Sequence, residues 1–350
     1  MAGGTGGHVF PGLALAKYFR EMGVLVHWLG TPFGLEAKLV VEAGIPFHTI
    51  TVRGLRGKGI KPLLKAPFSV TQAVLQARKI INSIKPDVTI GMGGFVSGPG
   101  GVASWILRCP LLIHEQNAIP GLTNRLLGKF AKKILEGFPG AFKAHPKVVA
   151  VGSPVRAEIE NIAAPDLRFQ TIHSSRLRLL ILGGSLGAKA INEIIPQMMK
   201  LLDQPIDVIH QTGQQHIEST KNTYETMGLQ GDVKPFIEDM ASVYQWADLV
   251  ICRAGALTVS ELCVAGLGAI FIPYPFAVDD HQTANANFMV KNKAAVLIQQ
   301  NELTAEALAD IVRTFVESRQ KCLHMAKAAY HLRRIGVAQN IYQICQEVSR

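Results

Sequence analysis

The stretch LLILGGSLGA (residues 179–188) joins a short, wholly apolar run to a glycine-rich turn. A run of four apolar residues without alternation is typical of a parallel strand that is buried on both faces. The same arrangement recurs at residues 88–94, VTIGMGG, and at residues 248–255, DLVICRAG. Amphipathic segments follow these turns, and strands that alternate with helices form βαβ units. The sequence therefore predicts an α/β fold with parallel sheets.

The length of the chain predicts more than one domain. A chain of 350 residues exceeds what a single hydrophobic core usually serves, so two domains are expected. We place the boundary near Gly152–Arg156, because glycine and proline end a strand there and residues 157–176 carry few apolar positions.

The composition excludes several classes of protein. A formal net charge of +10 favours an anionic partner, such as a nucleotide, a phosphate or a membrane surface. Aromatic residues make up only 7% and do not accompany the basic residues, which argues against a nucleic-acid partner. The five cysteines are scattered without CxxC spacing, so neither a disulfide framework nor a zinc site is expected. Without a recognisable signal peptide or spanning segment, a cytosolic location is expected.

A first glycine loop, GGTGGH (residues 3–8), stands almost at the start of the sequence. Only two residues precede it, so the strand that should lead into it is missing, and an upstream start is expected. Pro11 suits the first turn of a helix that Gly23 can close. His8 ends the loop at this expected helix N-terminus, which favours the neutral form of an imidazole. His8 is therefore either a candidate general base or a capping and packing residue.

The repeated glycine loops predict a phosphate or diphosphate site. Glycine between a strand and a helix lets the backbone approach a phosphate, and the helix N-terminus offers free N–H groups. A dinucleotide-dependent oxidoreductase is the alternative, because Gly98–Ala103 fits GxGxxA and Glu115 follows the next apolar run. Against it, Gly98 is expected inside a longer loop, several residues after its strand.

Metal chemistry finds little support in the sequence, and no metal or cofactor is expected. Asp279–His281 could supply ligands, but a polar loop that caps a helix beginning near Gln282 explains it better. His210 and His216 have no carboxylate at ligand spacing. Glu261 lies one turn into the helix after Gly255, where a carboxylate can pair with the helix dipole, accept hydrogen bonds from ribose hydroxyls, or do both.

A basic and apolar segment predicts contact with an anionic membrane. Residues 43–86 contain no acidic residue and eight basic ones. Each basic residue near an anionic surface adds about 1 kcal/mol, and apolar side chains insert at the headgroup level. A solvated basic face is the alternative. The residues we expect to dock are Lys61, Leu64, Lys65 and Phe68.

Several segments together resemble one enzyme family over nearly the whole chain. They are GGTGGHVFPGLALA (3–16), GMGGFVSGPGG (91–101), HEQN (114–117), GSPVR (152–156), GGSLGA (183–188), CRAGALTVSE (252–261) and DDHQTANA (279–286). These segments are similar to those of the MurG family, the N-acetylglucosaminyltransferases that convert lipid I to lipid II in peptidoglycan synthesis.

The resemblance implies the GT-B fold, with two Rossmann-like domains that face each other across a cleft. The implied domains are residues 1–153, which face the acceptor and the membrane, residues 154–334, which bind UDP-GlcNAc, and a helix at 335–350 that returns to the first domain. The implied partners are UDP-GlcNAc, undecaprenyl-linked lipid I, an anionic membrane surface and other cell-wall synthesis proteins. The implied location is the cytoplasmic face of the inner membrane.

The resemblance also assigns residues to an inverting transfer with His8 as the general base. It implies donor contacts at Thr5, Gly6, Gly7, Asn117, Arg156, Ser185, Ile237, Ala256, Leu257, Thr258, Val259, Ser260, Glu261 and Gln282. It implies acceptor diphosphate contacts at Gly4, Thr5, Gly6, Gly93, Gly94 and Ser97. Three positions depart from the family pattern: Leu186 replaces a Gln, Ala254 replaces a Ser, and His281 stands where a second Gln is frequent.

Overall fold

The computed structural model describes residues 1–4, 6–52, 60–170, 176–184 and 187–349, without the side chains of residues 60–66 and Val278. The chain divides into two compact units, the first made of Met1–Arg156 with Gly336–Arg350 and the second of Ala157–Ile335. Helices and parallel sheets make up both units, so the predicted α/β class is confirmed.

The first unit contains two parallel sheets. Its strands are β1 (Trp28–Gly30), β2 (Phe47–Thr49), β3 (Thr89–Gly91), β4 (Leu111–Glu115), β5 (Lys133–Glu136) and β6 (Val148–Ala150). Strands β1 and β2 pair with each other, and the remaining strands form a sheet in the order β3-β4-β5-β6. Every residue of β4 is buried, which explains its uninterrupted apolar sequence before His114.

Five helices and a returning sixth cover these sheets. They are α1 (Gly6–Glu21), α2 (Leu35–Glu42), α3 (Ile60–Ile84), α4 (Gly94–Ile106), α5 (Leu122–Leu127) and α15 (Val337–Ser349). Helix α15 packs on α1, with the ring of Tyr342 edge-on to Phe19 at 5.4 Å between centroids.

Three details of the first unit differ from the sequence expectation. Helix α1 begins at Gly6, so Pro11 lies inside it rather than in its first turn. The apolar character of Val24–Leu29 predicts a strand over those residues, but residues 24–27 do not join β1. Left-handed Gly23 (φ +79°) ends α1, and the N–H of Val24 still donates to Phe19 O. The stretch Gly98–Ala103 is helical and lies within α4, where a Cβ on Gly101 would come within 2.7 Å of Leu127. Its glycines permit close helix packing and form no dinucleotide loop.

The second unit is built on one six-stranded parallel sheet. Its strands are β7 (Arg178–Leu182), β8 (Asp207–Gln211), β9 (Asp232–Lys234), β10 (Leu249–Cys252), β11 (Gly268–Phe271) and β12 (Ala295–Leu297). The order is β12-β11-β10-β7-β8-β9. Strand order therefore reverses between β7 and β10, and ligands of open α/β sheets bind beyond the carboxyl ends of the strands at such a point.

Helices flank this sheet. They are α6 (Ala157–Glu160), α7 (Pro165–Gln170), α8 (Lys189–Lys200), α9 (Ile217–Thr226), α10 (Met240–Trp246), α11 (Ala256–Ala265), α12 (His281–Val290), α13 (Ala305–Val316) and α14 (Arg319–His331), with 3₁₀ turns at Val278–Asp280 and Gln300–Glu302. The central strands supply fully buried Leu179, Ile181, Leu249 and Ile251 to the core. Each such side chain contributes about 1.5–3 kcal/mol on burial.

Candidate active site

The first glycine loop of the first unit places His8 in the opening turn of α1. Gly4 has a left-handed backbone (φ +99°) and its N–H donates to Oε2 of buried Glu36 at 3.3 Å. Oε1 of the same carboxylate accepts from Thr31 N–H (3.1 Å) and from its hydroxyl (2.8 Å). Glu36 therefore ties the glycine loop to the end of β1. Thr5 lies outside the described residues.

The second glycine loop packs against the imidazole of His8. A Cβ on Gly93 would lie 3.0 Å from Nδ1 and Cε1 of His8, and a Cβ on Gly94 would lie 2.5 Å from the carbonyl oxygen of Gly3. Both glycines are left-handed, at φ +95° and +75°. Only residues without a side chain allow the two loops to approach this closely.

A row of buried polar groups continues from His8 into the HEQN segment at the end of β4. Nδ1 of His8 lies 3.0 Å from Oε1 of Gln116, and Nε2 of Gln116 lies 3.0 Å from Nδ1 of His114. Nε2 of His114 then lies 2.8 Å from the carbonyl oxygen of Gly152. His114 is fully buried, and this burial lowers its pKa, so the ring is neutral. The sequence signalled the HEQN segment, but not that its side chains reach His8.

The carboxylate of Glu115 fixes the loop that follows β4. Oε1 accepts from the main-chain N–H (3.0 Å) and the amide (3.1 Å) of Asn117. Oε2 accepts from Gly121 N–H (3.1 Å) and from the amide of Asn124 (2.9 Å). Four donors on one buried carboxylate make this loop a rigid support for Asn117.

Two further predicted residues of this unit occupy different environments. Ser97 is fully buried, and its hydroxyl lies 2.7 Å from Gly93 O and 3.0 Å from Met1 O. The side chain of Ser97 does not face solvent and instead supports the second glycine loop through the carbonyl oxygen of Gly93. Arg156 is half-buried at the end of the first unit.

In the second unit, the turn after β7 lies at the reversal of strand order. A Cβ on Gly183 would meet Ala188 N at 2.9 Å and Gln211 O at 3.0 Å, so the turn is tightly folded against β8. Ser185 and Leu186 lie outside the described residues.

The turn after β10 leads directly into the N-terminus of α11. Gly255 occupies the N-cap position, and no side chain caps the helix there. The uncapped first turn contains Ala256, Leu257 and Thr258, whose N–H groups have no partner within an α-helix. Such a helix end attracts an anion. The side chain of Val259 is fully buried, and Ser260 Oγ donates to Ala256 O at 2.9 Å.

Glu261 lies in the second turn of α11 and is only 4% exposed. Its Oε2 accepts a hydrogen bond of 3.0 Å from the hydroxyl of Tyr244 on α10. The sequence did not indicate this partner, because Tyr244 lies 17 residues before Glu261, on the helix that precedes β10. The pair holds the carboxylate in one orientation.

Ile237 and Gln282 are anchored by their neighbours. The N–H of Ile237 donates to Oε1 of Gln211 at 3.0 Å, and Gln282 Oε1 accepts from Tyr274 N–H at 2.9 Å. Helix α12 begins at His281, one residue before the predicted start, and Asp280 occupies its N-cap in a left-handed conformation without a side-chain cap. The expected capping by this polar loop is therefore absent at Asp280.

Arg253 is a supporting residue that sequence reasoning missed. Its Nη1 donates to Ile272 O (2.9 Å) and Pro273 O (3.0 Å), and Nη2 donates to Gln300 Oε1 (2.6 Å). The guanidinium therefore joins the end of β10 to the segment that leads to Gln282.

Exposed apolar residues gather on helices α3, α4 and α5 of the first unit. Phe68 on α3 is 77% exposed, and Trp105 on α4 is 52% exposed. Trp105 and the half-exposed ring of Phe130 lie 4.9 Å apart between centroids. Both α3 and α5 pack on α4. Lys61, Leu64 and Lys65 lie in α3, but their side chains fall outside the described structure.

The described part of the chain contains neither a candidate membrane-spanning helix nor a cluster of metal ligands. None of its helices is both long and apolar enough to cross a membrane. Within the same residues, no group of three or more His, Cys, Asp or Glu side chains could hold a metal ion.

Comparison with known proteins identifies the family. Residues 1–136 match the glycosyltransferase family 28 N-terminal domain, and residues 178–341 match the glycosyltransferase family 28 C-terminal domain. The chain is 49% identical to the UDP-N-acetylglucosamine–N-acetylmuramyl-(pentapeptide) pyrophosphoryl-undecaprenol N-acetylglucosamine transferase of Marinobacter nauticus, over 100% of this chain and 96% of the relative. It is 50% identical to the enzyme of the same name from Cellvibrio japonicus, over 100% and 97%.

Solved structures agree with this relationship. The crystal structure of Acinetobacter baumannii MurG matches with a TM-score of 0.86 at 42% identity, over 99% of this chain and 98% of that one. The glycotransferase of kitacinnamycin has a TM-score of 0.73 at 16% identity, over 98% and 96%, and shows the shared fold. The predicted GT-B class is confirmed, and the oxidoreductase alternative has no support. The chain belongs to the MurG family of N-acetylglucosaminyltransferases within glycosyltransferase family 28.

Proposed function

We propose that the chain transfers N-acetylglucosamine from UDP-GlcNAc to the 4-hydroxyl of the N-acetylmuramoyl sugar of undecaprenyl-linked lipid I, which forms lipid II for peptidoglycan. The observation that carries this proposal is identity of about half of all residues to transferases of this name over the full chain. Residues 1–153 serve the acceptor, residues 154–334 hold the donor, and residues 335–350 belong with the acceptor domain.

The second unit provides the proposed donor site. The diphosphate of UDP-GlcNAc lies at the uncapped N-terminus of α11, with Ala256–Ser260 contributing main-chain groups and Ser185 a hydroxyl. Glu261 accepts hydrogen bonds from the ribose hydroxyls. The hydroxyl of Tyr244, which donates to Oε2 of Glu261, fixes the orientation of the carboxylate. Because the N–H of Ile237 is already paired with Gln211, uracil is read through the carbonyl oxygen of Ile237.

The remaining donor contacts follow the sequence prediction. Gln282 keeps its amide NH₂ available for the sugar, because its Oε1 is held by Tyr274 N–H. Asn117 contacts the sugar from the loop that Glu115 fixes. Arg156 contacts the nucleotide, and Thr5, Gly6 and Gly7 are the remaining proposed donor contacts.

The first unit provides the proposed acceptor site and the base. The acceptor diphosphate contacts Gly4, Thr5, Gly6, Gly93 and Gly94, and the four glycines among them have no side chain that would block its approach to the backbone. Ser97 contributes by holding the second loop through Gly93 O.

The reaction inverts the anomeric centre in one displacement. The 4-hydroxyl oxygen attacks the anomeric carbon of GlcNAc, the bond from that carbon to the diphosphate oxygen breaks, and UDP leaves. His8 takes the hydroxyl proton, a role that contributes about 10²–10⁴ in rate. The N–H groups at the start of α11 stabilise the negative charge that develops on the leaving diphosphate.

A peripheral membrane location follows from the acceptor, whose lipid tail lies in the bilayer. Exposed Phe68 on α3, Trp105 on α4 and Phe130 in the segment after α5 support docking through this part of the first unit. Positions 61, 64, 65 and 68 have the spacing of one face of a helix, and the residues that we assign to docking are Lys61, Leu64, Lys65 and Phe68. We place the enzyme on the cytoplasmic face of the inner membrane, with other cell-wall synthesis proteins as further partners.

The test is UDP release from UDP-GlcNAc with and without a lipid I analogue. Release that depends on the analogue, with a disaccharide product, is expected. His8→Ala should lower kcat by about 10²–10⁴, whereas His324→Gln on the exposed surface of α14 should leave it unchanged. Analogue-independent release, or a His8→Ala loss below tenfold, would contradict the proposed reaction or the proposed base, respectively.

A further inference from the structure

The hydrogen bonds between Gly152 and His8 have only one consistent direction. The carbonyl oxygen of Gly152 can only accept, so Nε2 of His114, 2.8 Å away, must carry a hydrogen. Burial keeps the His114 ring neutral, so its other nitrogen, Nδ1, has no hydrogen and must accept. The direction of donation along the hydrogen bonds from Gly152 to His8 is therefore set at the buried end, by Gly152 and His114.

The same direction of donation continues through Gln116 to His8, the candidate base. The group of Gln116 that faces Nδ1 of His114 at 3.0 Å must be the NH₂, which only donates. Its carbonyl oxygen then faces Nδ1 of His8 at 3.0 Å and can only accept. A hydrogen consequently sits on Nδ1 of His8, and the lone pair of the neutral ring sits on Nε2.

We propose that His114 and Gln116 are positioning residues that set the tautomer of His8 and leave Nε2 as the atom that takes the acceptor proton. This inference rests on the proposed transfer with His8 as its base. The reverse amide orientation would set the Gln116 oxygen against the His114 lone pair. It would also place a hydrogen on Nε2 of His8, where a neutral ring could no longer accept a proton.

Packing holds the row in place. Gln116 is 1% exposed and His114 is fully buried, so water does not compete for these groups. The amide of Asn124 donates to His114 O at 3.0 Å and to Glu115, which anchors the backbone beneath both side chains. The surface of Gly93 lies against the Nδ1 edge of His8, so this edge has no room for an alternative partner.

The first test measures the tautomer directly in the unaltered protein. Nitrogen-15 spectra of histidine-labelled enzyme, with the His8 signals identified by their loss in His8→Gln, report which ring nitrogen carries hydrogen. At a pH where His8 is neutral, we expect a protonated Nδ1 and an unprotonated Nε2. The opposite tautomer, or an even mixture, would overturn the proposal without any variant of His114 or Gln116.

The second test separates positioning from structure by kinetics. Gln116→Met keeps the length of the side chain but removes both polar groups, whereas Gln116→Glu keeps an acceptor for Nδ1 of His8. Fixing the wrong histidine tautomer costs about 10⁴ in kcat in serine proteases, so we expect Gln116→Met to lose about 10-fold to 10⁴-fold in kcat with donor KM little changed. Gln116→Glu should retain more of kcat, and His324→Gln serves as the control.

The outcomes distinguish this inference from the proposed function. Equal losses in folded Gln116→Met and Gln116→Glu, or an unchanged kcat in Gln116→Met, would overturn the role of the row while leaving His8 as the base. Full activity of His8→Ala would instead overturn the base assignment on which the inference rests.

Discussion

A single methyl group at Gly94 should test the contact between the two glycine loops of the first unit. In Gly94→Ala, the new Cβ would lie 2.5 Å from the carbonyl oxygen of Gly3, where ordinary contacts begin at 3.4 Å. Gly23→Ala is the matched control. Gly23 has nearly the same backbone angle, φ +79° against +75°, but its Cβ would have no neighbour within 4 Å.

The magnitude follows from two contributions. A left-handed backbone costs alanine about 1–2 kcal/mol, and reduced freedom of the unfolded chain returns about 0.4–1 kcal/mol, so Gly23→Ala should lose about 1 kcal/mol. Gly94→Ala carries the same strain and must also move the main chain of Gly3 by up to 0.9 Å. Overpacking of this kind typically adds about 1–3 kcal/mol.

The assay is thermal unfolding of both variants, followed by turnover well below their transitions. A difference of about 2 kcal/mol between the variants corresponds to about 4–8 °C in Tm for a domain of this size. Because Gly94 also lies against His8, kcat should fall in Gly94→Ala and persist in Gly23→Ala. Equal Tm shifts in the two variants would contradict this prediction, since they would show that the two loops are not in tight contact.

Three further predictions concern the donor carboxylate, a buried histidine and the exposed apolar surface. Glu261→Ala should raise the donor KM, because unpaired ribose hydroxyls cost about 1–3 kcal/mol; an unchanged KM in folded protein would reject the assignment. Burial lowers the pKa of His210 from 6.5 to about 3, so below pH 6.5 the unfolded chain binds a proton that the folded chain excludes. Stability should therefore fall by about 1.4 kcal/mol per pH unit as pH drops from 6.5 towards 3; denaturant titrations should show this slope flattened in His210→Gln. Phe68→Ser combined with Trp105→Ser should weaken co-sedimentation with anionic vesicles, whereas the exposed control Leu25→Ser should sediment like the parent.

Strands and turns could be predicted from the sequence where a residue type is required there for a single structural cause. The apolar runs before the glycine turns became β7, β10 and β3. Every residue of β7 and β10 is buried, and a strand buried on both faces needs apolar residues at every position. The glycines at 91–94 lie between a strand and a helix, as their sequence context predicted.

Prediction failed where the role of a residue depends on tertiary contacts. Glycines pack helices closely as readily as they form loops, so Gly98–Ala103 gave no sign that it belongs to α4. Glu36 reaches the first glycine loop from 32 residues away, and Gln116 reaches His8 from 108 residues away. Contacts between residues so far apart along the chain leave no local pattern in the sequence. The resemblance implied an acceptor contact at Ser97, and no local pattern indicated that its side chain is fully buried and donates to Gly93 O.

The return of α15 to the first unit has a consequence for biosynthesis. The hydrophobic cluster that contains Leu15 and Phe19 of α1 also contains four residues of α15: Val337, Ile341, Ile344 and Cys345. The ribosome delivers this last helix only after the whole of Ala157–Ile335 has been made. The second unit is continuous in sequence and can close while translation proceeds. The first unit must wait with an apolar face of α1 uncovered, so nascent chains should need chaperone protection at their beginning rather than at their most recently made end.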